Sequence, residues 1–203
     1  RRASAVKGLQ RVSDGVLVQA AGVLERYDQV VLACHSDEAL TLLGDTATAS
    51  ERRLLGAIRY QPNHAVLHTD TALLPRNRRV WSSWNYMAGA GAPDSRPVSV
   101  SYLMNRLQPL PFEQPVVVSL NPFIEPDPAR VIARIDYAHP LFDGPAIDAQ
   151  ARLPEIQGRD RLWYCGAWTG YGFHEDGLAS AVRVARHLGA DIPWQRSGEV
   201  LAA

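Results

Sequence analysis

Hydrophobic and polar positions along the first third of the chain predict a β-meander. The segments Val6–Val12 and Val16–Ala20 are rich in apolar residues, and the Asp-Gly pair between them tolerates the positive φ of a tight hairpin turn. Val23–Tyr27 returns after a second turn, and the continuous apolar run Val30–Cys34 is typical of a strand covered on both faces. We therefore predict three short antiparallel strands that lead into an interior strand.

Two short helices are predicted after the interior strand. Ser36 precedes two acidic residues and an apolar run that ends at Gly44, which is the expected order of helix start and stop signals. Ser50 opens a second pattern of the same kind, which reaches Ala57. We therefore expect each of the two serines to cap a helix.

Five segments of strand length follow, separated by turns rich in glycine and proline, such as Ala88–Pro97. They are Ala65–Thr69, Val80–Tyr86, Val98–Leu107, Val116–Leu120 and Val131–Tyr137. Strands that follow one another without an intervening helix pair in an antiparallel sheet. We therefore predict a five-stranded antiparallel sheet in the middle of the chain.

The C-terminal part combines a strand, a loop and a helix. Arg161–Gly166 is a strand that ends in glycine, and the loop Gly170–Gly177 contains further glycines. The amphipathic helix Leu178–Leu188 follows, and its apolar stripe consists of Leu178, Val182, Ala185 and Leu188. A strand that leads through a glycine loop into a helix N-terminus presents backbone N–H groups to an anion.

Composition and charge narrow the classes of protein. With 203 residues, of which 46% are hydrophobic and 21% charged, the chain is globular and forms one large domain or two small ones. The net charge of zero gives no basic footprint for nucleic acid, and no apolar run approaches the roughly 20 residues of a membrane span. Cys34 and Cys165 lie far apart and fit a reducing compartment, so we predict a cytoplasmic protein.

Two motifs carry a resemblance to a known superfamily. Tyr27–Leu43, which reads YDQVVLACHSDEALTLL, resembles the junction of meander and strand in flavoproteins related to amine oxidases and phytoene desaturases. Trp163–Val182, which reads WYCGAWTGYGFHEDGLASAV, resembles the closing FAD-contact motif of the same superfamily. The chain is most similar to a bacterial branch described as predicted NAD/FAD-binding, flavin-containing amine-oxidase-like proteins. The resemblance covers nearly the whole chain and implies FAD as the cofactor.

The resemblance implies an α+β (mixed α/β) fold in three parts. Residues 1–60 would form part of the FAD domain, residues 61–150 an inserted antiparallel-sheet substrate domain, and residues 151–203 the closing strand, loop and helix. The superfamily's N-terminal βαβ unit with G-x-G-x-x-G has no counterpart here, and the chain begins with arginine. We therefore expect the C-terminal half of a longer flavoprotein, inactive in isolation.

The resemblance also assigns residues to the cofactor. The implied FAD contacts are Gly166, Ala167, Trp168, Gly172, Phe173, His174, Glu175, Asp176, Gly177 and Leu178. His174 and Glu175 are the catalytic candidates, because in the resembling family these positions lie near the flavin and can exchange protons with substrate. The alternative is that the acidic residues here serve only the helix dipole.

Two positions depart from the pattern of the superfamily. Many relatives carry an acidic residue, which contacts the cofactor, at the position of Ala167. Many amine oxidases place a lysine near the flavin, whereas the only lysine here, Lys7, lies in the first strand of the meander. We therefore do not expect amine oxidation by the usual set of residues, although flavin redox chemistry of another kind is compatible with the sequence.

Candidate substrate residues lie in the predicted sheet. Period-two alternation puts Trp84 and Tyr86 on one face of a strand, and Tyr102 and Asn105 carry polar groups on the next. These four residues line a substrate cavity in one interpretation and are ordinary sheet and core residues in the other.

Two other kinds of site are not expected. His64, His68 and Asp70 share a strand face, but the usual zinc patterns need tighter spacing or additional ligands, so we predict no metal site. No G-x-S-x-G is present either, which argues against an α/β-hydrolase.

Two functions of different class remain. In the first, the chain is part of an FAD-dependent oxidoreductase that transfers a hydride from a small-molecule substrate to flavin. In the second, it is a non-catalytic β-rich module that binds a hydrophobic ligand or a protein partner. Without the missing half, Val30–Cys34 and Leu162–Gly166 would expose apolar faces and a sheet edge, so we also expect a homodimer.

Overall fold

A computed structural model describes residues 1–92 and 96–194 as a mixed α/β protein with antiparallel sheets. The described chain divides into two compact units. The first combines residues 1–60 with the chain from Pro140 onwards, and the second is Gln61–His139. The predicted turn Ala88–Pro97 includes residues 93–95, which lie outside the described residues, as does the end of the predicted part 151–203.

The first unit opens with the predicted β-meander. Strands β1 (Val6–Val12), β2 (Gly15–Ala20) and β3 (Val23–Tyr27) pair in sequence order and are antiparallel. Gly15 is required at the first turn because a Cβ at this position would lie 2.6 Å from the carbonyl oxygen of Tyr27. Turn and strands therefore follow the sequence pattern closely.

The interior strand is shorter than predicted. β4 spans Val30–Leu32, and two helices follow, α1 (Ser36–Leu43) and α2 (Ala49–Gly56). The predicted caps are wrong, because the cap positions are occupied by His35, one residue before Ser36, and by Thr48, two residues before Ser50. Thr48 accepts a hydrogen bond from the Glu51 backbone and donates its own N–H to that side chain, which leaves Ser50 inside the first turn.

The second unit is built on a five-stranded sheet. Its strands are β5 (Tyr60–His68), β6 (Trp84–Ala88), β7 (Val98–Leu103), β8 (Val117–Leu120) and β9 (Val131–Pro140). Their spatial order is β6-β7-β8-β5-β9, and the three ladders from β6 to β5 are antiparallel. The expected antiparallel sheet is therefore present.

Two predicted strands are too long. The segment predicted from Val80 to Tyr86 begins as a strand only at Trp84, because residues 78–80 form a single 3-10 turn. The segment predicted to reach Leu107 leaves the sheet at Leu103, and Met104–Leu107 forms the short helix α3. At the first difference the Asn85 amide bonds to the Ser82 backbone, and at the second the Asn105 amide bonds to the backbone of Gln114 and Val116.

The chain returns to the first unit earlier than expected. Residues 140–152 belong to that unit, whereas the sequence puts the end of the sheet domain at residue 150. The physical reason is α4 (Gly144–Arg152), which packs against α2 and buries Ala146 and Ala149 in the core of the first unit. Strand β10 (Leu162–Tyr164) and helix α5 (His174–His187) complete the unit.

A buried polar group ties this core together. Glu51 on α2 accepts hydrogen bonds from the Tyr164 hydroxyl at 2.6 Å and from the Arg11 guanidinium at 2.5 Å. Burial raises the pKa of Glu51, but the hydrogen bonds from Tyr164 and Thr48 and the charge of Arg11 together lower it below its usual range. The ionised carboxylate therefore connects the meander, α2 and β10.

Candidate functional site

The candidate site lies where two parallel strands end. β10 pairs with β4 in parallel, from Leu162 opposite Val30 to Tyr164 opposite Leu32. The ladder continues with the Cys165 N–H, which donates to the carbonyl oxygen of Leu32 at 3.0 Å. The carboxyl ends of parallel strands are where α/β proteins bind ligands, and the glycine loop begins at this edge.

Gly166 and Trp168 form the first turn after β10. The φ angle of Gly166 is +150°, and a Cβ at this position would lie 2.7 Å from the indole nitrogen of Trp168. That nitrogen donates to the carbonyl oxygen of Cys34 at 3.0 Å, so the buried indole joins the ends of β10 and β4. Trp168, a predicted cofactor contact, is thus packed in the protein core.

Asp176 closes the glycine loop. Its Oδ2 atom accepts hydrogen bonds from the backbone N–H groups of Tyr171 at 3.0 Å and Phe173 at 2.9 Å. A Cβ at Gly170 would lie 2.5 Å from the other carboxylate oxygen, so glycine is the residue that allows this approach. The carboxylate of Asp176 therefore acts on the loop backbone, although the resemblance assigns it to the cofactor.

Helix α5 begins four residues earlier than the sequence predicts. It starts at His174, so that the segment His174–Gly177 is the first helical turn and not part of the loop. The apolar stripe is also shifted, because Ser180 and Val184 are buried while Leu178 and Leu188 are 44% and 40% exposed. The hydrogen bonds of the Ser180 hydroxyl explain why this face of the helix is the buried one.

The Ser180 hydroxyl fixes α5 against the end of β10. It accepts from the Gly166 N–H at 2.9 Å and donates to the Gly177 carbonyl at 2.7 Å. A Cβ at Gly177 would lie 3.5 Å from the backbone nitrogen of Ala167, so the first turn of the helix packs directly on the turn after β10. Sequence reasoning missed this role of Ser180, since a lone serine in a helix carries no distinctive signal.

The outer side of this helix N-terminus is open. Among the described residues, no group accepts a hydrogen bond from the backbone N–H of His174 or Glu175, and neither side chain has a hydrogen bond or ion pair. Tyr171 and Phe173 present large exposed rings beside it. Free N–H groups at a helix N-terminus favour a negatively charged or polar ligand atom.

Three of the four predicted substrate residues lie together in the second unit. Trp84 is directly opposite Tyr102 in the β6–β7 ladder, and their rings meet edge to face with centroids 6.3 Å apart. Tyr86 lies on the same face as Trp84, and these two side chains are 64% and 67% exposed respectively. Asn105 is not part of this group, because its amide bonds to the backbone of Gln114 and Val116.

The other face of the sheet is buried and contains a polar cluster. His68 Nε2 lies 2.9 Å from the Ser119 hydroxyl, which is 2.7 Å from the Ser101 hydroxyl. The Asp70 N–H donates to His68 Nδ1 at 3.1 Å, so the neutral ring carries its proton on Nε2. Burial lowers the pKa of His68. The buried face of the sheet therefore combines this polar cluster with apolar residues such as Val66 and Val117, while aromatic rings lie on the opposite face.

The sequence predicts neither a metal site nor a membrane span, and the structure bears on both predictions only for the residues that it describes. His64 lies 2.7 Å from Asp136, while His68 and Asp70 bond to each other and to the protein. Within residues 1–92 and 96–194, no group of three or more histidine, cysteine, aspartate or glutamate side chains is arranged to hold a metal ion. No helix in this part of the chain is long and apolar enough to cross a membrane.

Comparison with known proteins supports the fold. No protein-family model matches the chain, and no curated protein is similar to it at a significant level. Among solved structures, it is similar to a conjugated-linoleic-acid-producing fatty acid isomerase from P. acnes, with a TM-score of 0.60 and 14% identity. A protein assigned as a protoporphyrinogen oxidase, from Exiguobacterium sp. 255-15, has a TM-score of 0.56 and 14% identity.

A third similar structure is cyclohexylamine oxidase from Brevibacterium oxydans, with a TM-score of 0.54 and 11% identity. Each comparison covers 91% of this chain but only 47%, 46% and 48% of the three solved proteins respectively. The chain therefore has the fold of about half of each of these three proteins and spans about half of their length.

Proposed function

We propose that this chain is the C-terminal portion of an FAD-dependent oxidoreductase. The observation that carries the proposal is the open N-terminus of α5, which follows β10 through the glycine loop at the carboxyl ends of β4 and β10. The similarity of the chain's fold to about half of cyclohexylamine oxidase and of the protein assigned as a protoporphyrinogen oxidase supports the proposal further. A helix N-terminus in this position suits the cofactor's electron-rich edge.

The residues present fit such a cofactor. The free N–H groups of His174 and Glu175 and the exposed ring of Phe173 offer polar and apolar contacts. Ala167 and Leu178 supply small and apolar surface, whereas Gly172 and Gly177 face Phe142 and Ala167 and permit that close packing. Gly166, Trp168 and Asp176 act indirectly, because their hydrogen bonds and packing shape the loop.

The chemistry proposed is oxidation of a small molecule. When bound, FAD supplies the capacity to accept a hydride from the substrate. The N-terminal dipole of α5 stabilises negative charge near its first turn, with about 0.3–1 kcal/mol per exposed interaction. Within the first unit, His174 or Glu175 holds a proton at the open end of the helix. The isolated chain is expected to turn over no substrate.

Two substitutions at opposite ends of α5 test the cofactor assignment. Leu178 and Leu188 are similarly exposed, but only Leu178 lies beside the proposed cofactor position. In an FAD titration followed by flavin fluorescence, Leu178→Asp should weaken binding about tenfold by charge repulsion and desolvation. Leu188→Asp is the matched control and should bind like the unmodified chain. Equal effects of the two substitutions would contradict the proposal.

One observation favours a second function, a non-catalytic module that binds a hydrophobic ligand. The exposed face of the second unit carries Trp84, Tyr86 and Tyr102 without a charged residue between them. Contiguous exposed apolar surface marks interaction sites in soluble proteins. Quenching of tryptophan fluorescence by an apolar ligand that is lost in Trp84→Phe, in a chain that does not bind FAD, would favour this function over the first.

A further inference from the structure

A cavity lies in the first unit, between α4, β10 and α5. Its volume is about 450 Å³, which is within the range of small-molecule sites. The residues that border it include Leu153, Trp163 and Val184. The cavity shares none of the exposed first-turn residues that are proposed to contact FAD.

The walls of this cavity are largely apolar and preformed. Leu153 and Val184 are buried side chains at its base, and the indole of Trp163 forms a flat wall. The indole nitrogen donates to Gln29 Oε1 at 2.8 Å, and a Cβ at Gly158 would lie 2.7 Å from the ring. The ring is therefore held in one orientation before any ligand arrives.

Most polar groups in the cavity wall are already satisfied by the protein. The Gln157 side chain donates to the Tyr164 carbonyl at 2.6 Å and accepts from the Tyr164 N–H at 2.9 Å. The Gln150 amide donates to the carbonyl oxygens of Trp168 at 2.9 Å and Gly170 at 2.7 Å. Because these side-chain amides already have hydrogen-bond partners in the protein, they do not require a polar ligand atom at the base of the cavity.

The cation at the rim differs from these groups. Within the part of the chain that the structure describes, the Arg183 guanidinium has no hydrogen bond or ion pair. His187, one helical turn further, donates from Nδ1 to the Arg183 carbonyl at 2.8 Å, which leaves Nε2 as its other polar atom. Its ring lies 5.7 Å from that of Trp163. The cavity therefore combines an aromatic wall with one positive charge at its edge.

We propose that this cavity binds a small planar anion with an apolar body. The body would lie against Trp163 and Val184, and its carboxylate would pair with Arg183, since guanidinium matches carboxylate geometry. The occupant would also touch Gln150, which holds the carbonyl groups of the turn after β10. This site is separate from the proposed cofactor site and does not depend on it.

Binding of 2-naphthoate to the full chain, measured by isothermal titration calorimetry, tests the proposal. We expect saturable binding at one site per chain. The neutral analogue 2-naphthalenemethanol has the same ring system without the charge and should bind about tenfold more weakly. Arg183→Gln should reduce naphthoate binding to the level of the alcohol, whereas Arg106→Gln, in the second unit, should leave it unchanged.

A second pair of variants separates this cavity from non-specific adhesion to apolar surface. Ala151 is an exposed residue of the cavity wall, so Ala151→Trp should fill the space without disturbing the core and should abolish binding. Ala181→Trp puts the same side chain on exposed α5 surface outside the cavity and serves as control. Circular dichroism checks that each variant is folded. No binding by the unmodified chain, or binding that persists in both Arg183→Gln and Ala151→Trp, would overturn the proposal.

Discussion

At the scale of single residues, the first unit depends on one buried carboxylate. Glu51 is 2% exposed, and its partners come from three separate parts of the chain, with Arg11 on β1, Thr48 before α2 and Tyr164 on β10. Burial raises the pKa of the Tyr164 hydroxyl, and the charge of Glu51 raises it further, so the hydroxyl stays protonated as a donor. Removing a donor from a buried charge is costly.

Tyr164→Phe is expected to destabilise the chain by about 1.5–3 kcal/mol, because Glu51 loses a hydrogen bond to a charged acceptor without regaining water. Urea unfolding followed by circular dichroism measures the free energy. Tyr27→Phe removes a hydroxyl that bonds to exposed Glu25 and is the matched control. An equal loss in the two variants would contradict the account of Glu51.

A second residue-scale prediction concerns pH and His68. Burial lowers the pKa of His68 in the folded chain below its ordinary value of 6.5. The stability that comes from the neutral ring is therefore present above that value and is lost as pH falls through the lower, folded pKa. Between pH 8 and pH 5, His68→Gln should lose less free energy of unfolding than the unmodified chain.

His139→Gln, at an exposed position of β9, is the control for that experiment. Its free energy of unfolding should fall between pH 8 and pH 5 as steeply as that of the unmodified chain. A loss that is the same for all three proteins would show that His68 is not responsible.

At the scale of elements, α5 and its loop depend on Asp176. Asp176→Ala removes the acceptor of two backbone N–H groups, so we expect the first turn of α5 to fray and stability to fall by about 1 kcal/mol. Hydrogen exchange of the Tyr171 and Phe173 amides should accelerate. Glu175→Ala, next to it on an exposed side chain, should leave the exchange rates of these two amides unchanged.

Helix starts and strand ends show what the sequence pattern can and cannot reveal. The meander strands follow from alternation and turn residues alone, so β1 and β3 have the predicted bounds. The C-terminal end of β7 and the start of α5 differ from their predicted positions. The Asn105 amide and the Asp176 carboxylate bond to the backbone there and change its direction. Such contacts depend on loops that the local pattern does not place.

The candidate site was predictable to a similar degree. The glycine loop and α5 could be found from the spacing of Gly166, Gly170 and Gly172, since these glycines permit close approaches that the structure contains. The burial of Trp168 could not be predicted from the sequence, because an indole in a loop is as compatible with a cofactor contact as with a place in the core. The partner that decides the matter, the Cys34 carbonyl, lies on a distant strand.

At the scale of the whole molecule, the two-stranded sheet of the first unit has unequal edges. The outer edge of β10 is capped, because Gln157 bonds to the Tyr164 backbone and the Gly158 N–H donates to Leu162. On β4, Val31 is 42% exposed, and an apolar cleft of about 530 Å³ adjoins the strand. An open strand edge beside apolar surface favours pairing with another chain.

We propose that the isolated chain forms a homodimer through this edge of β4. Val31→Lys puts a charge on the edge and should lower the association constant about tenfold or more in sedimentation equilibrium. Ile132→Lys alters another exposed apolar residue, on β9, and should leave association unchanged. A strictly monomeric unmodified chain would contradict the proposal.

The central claim, that the segment from Gly166 to Leu178 belongs to a flavin site, is tested most directly by titrating the full chain with FAD. Flavin fluorescence and visible absorbance report binding without any need for turnover. The account predicts saturable binding that perturbs the flavin spectrum and weakens in Leu178→Asp. No binding, or binding that Leu178→Asp and Leu188→Asp leave equally intact, would contradict a cofactor role for this chain.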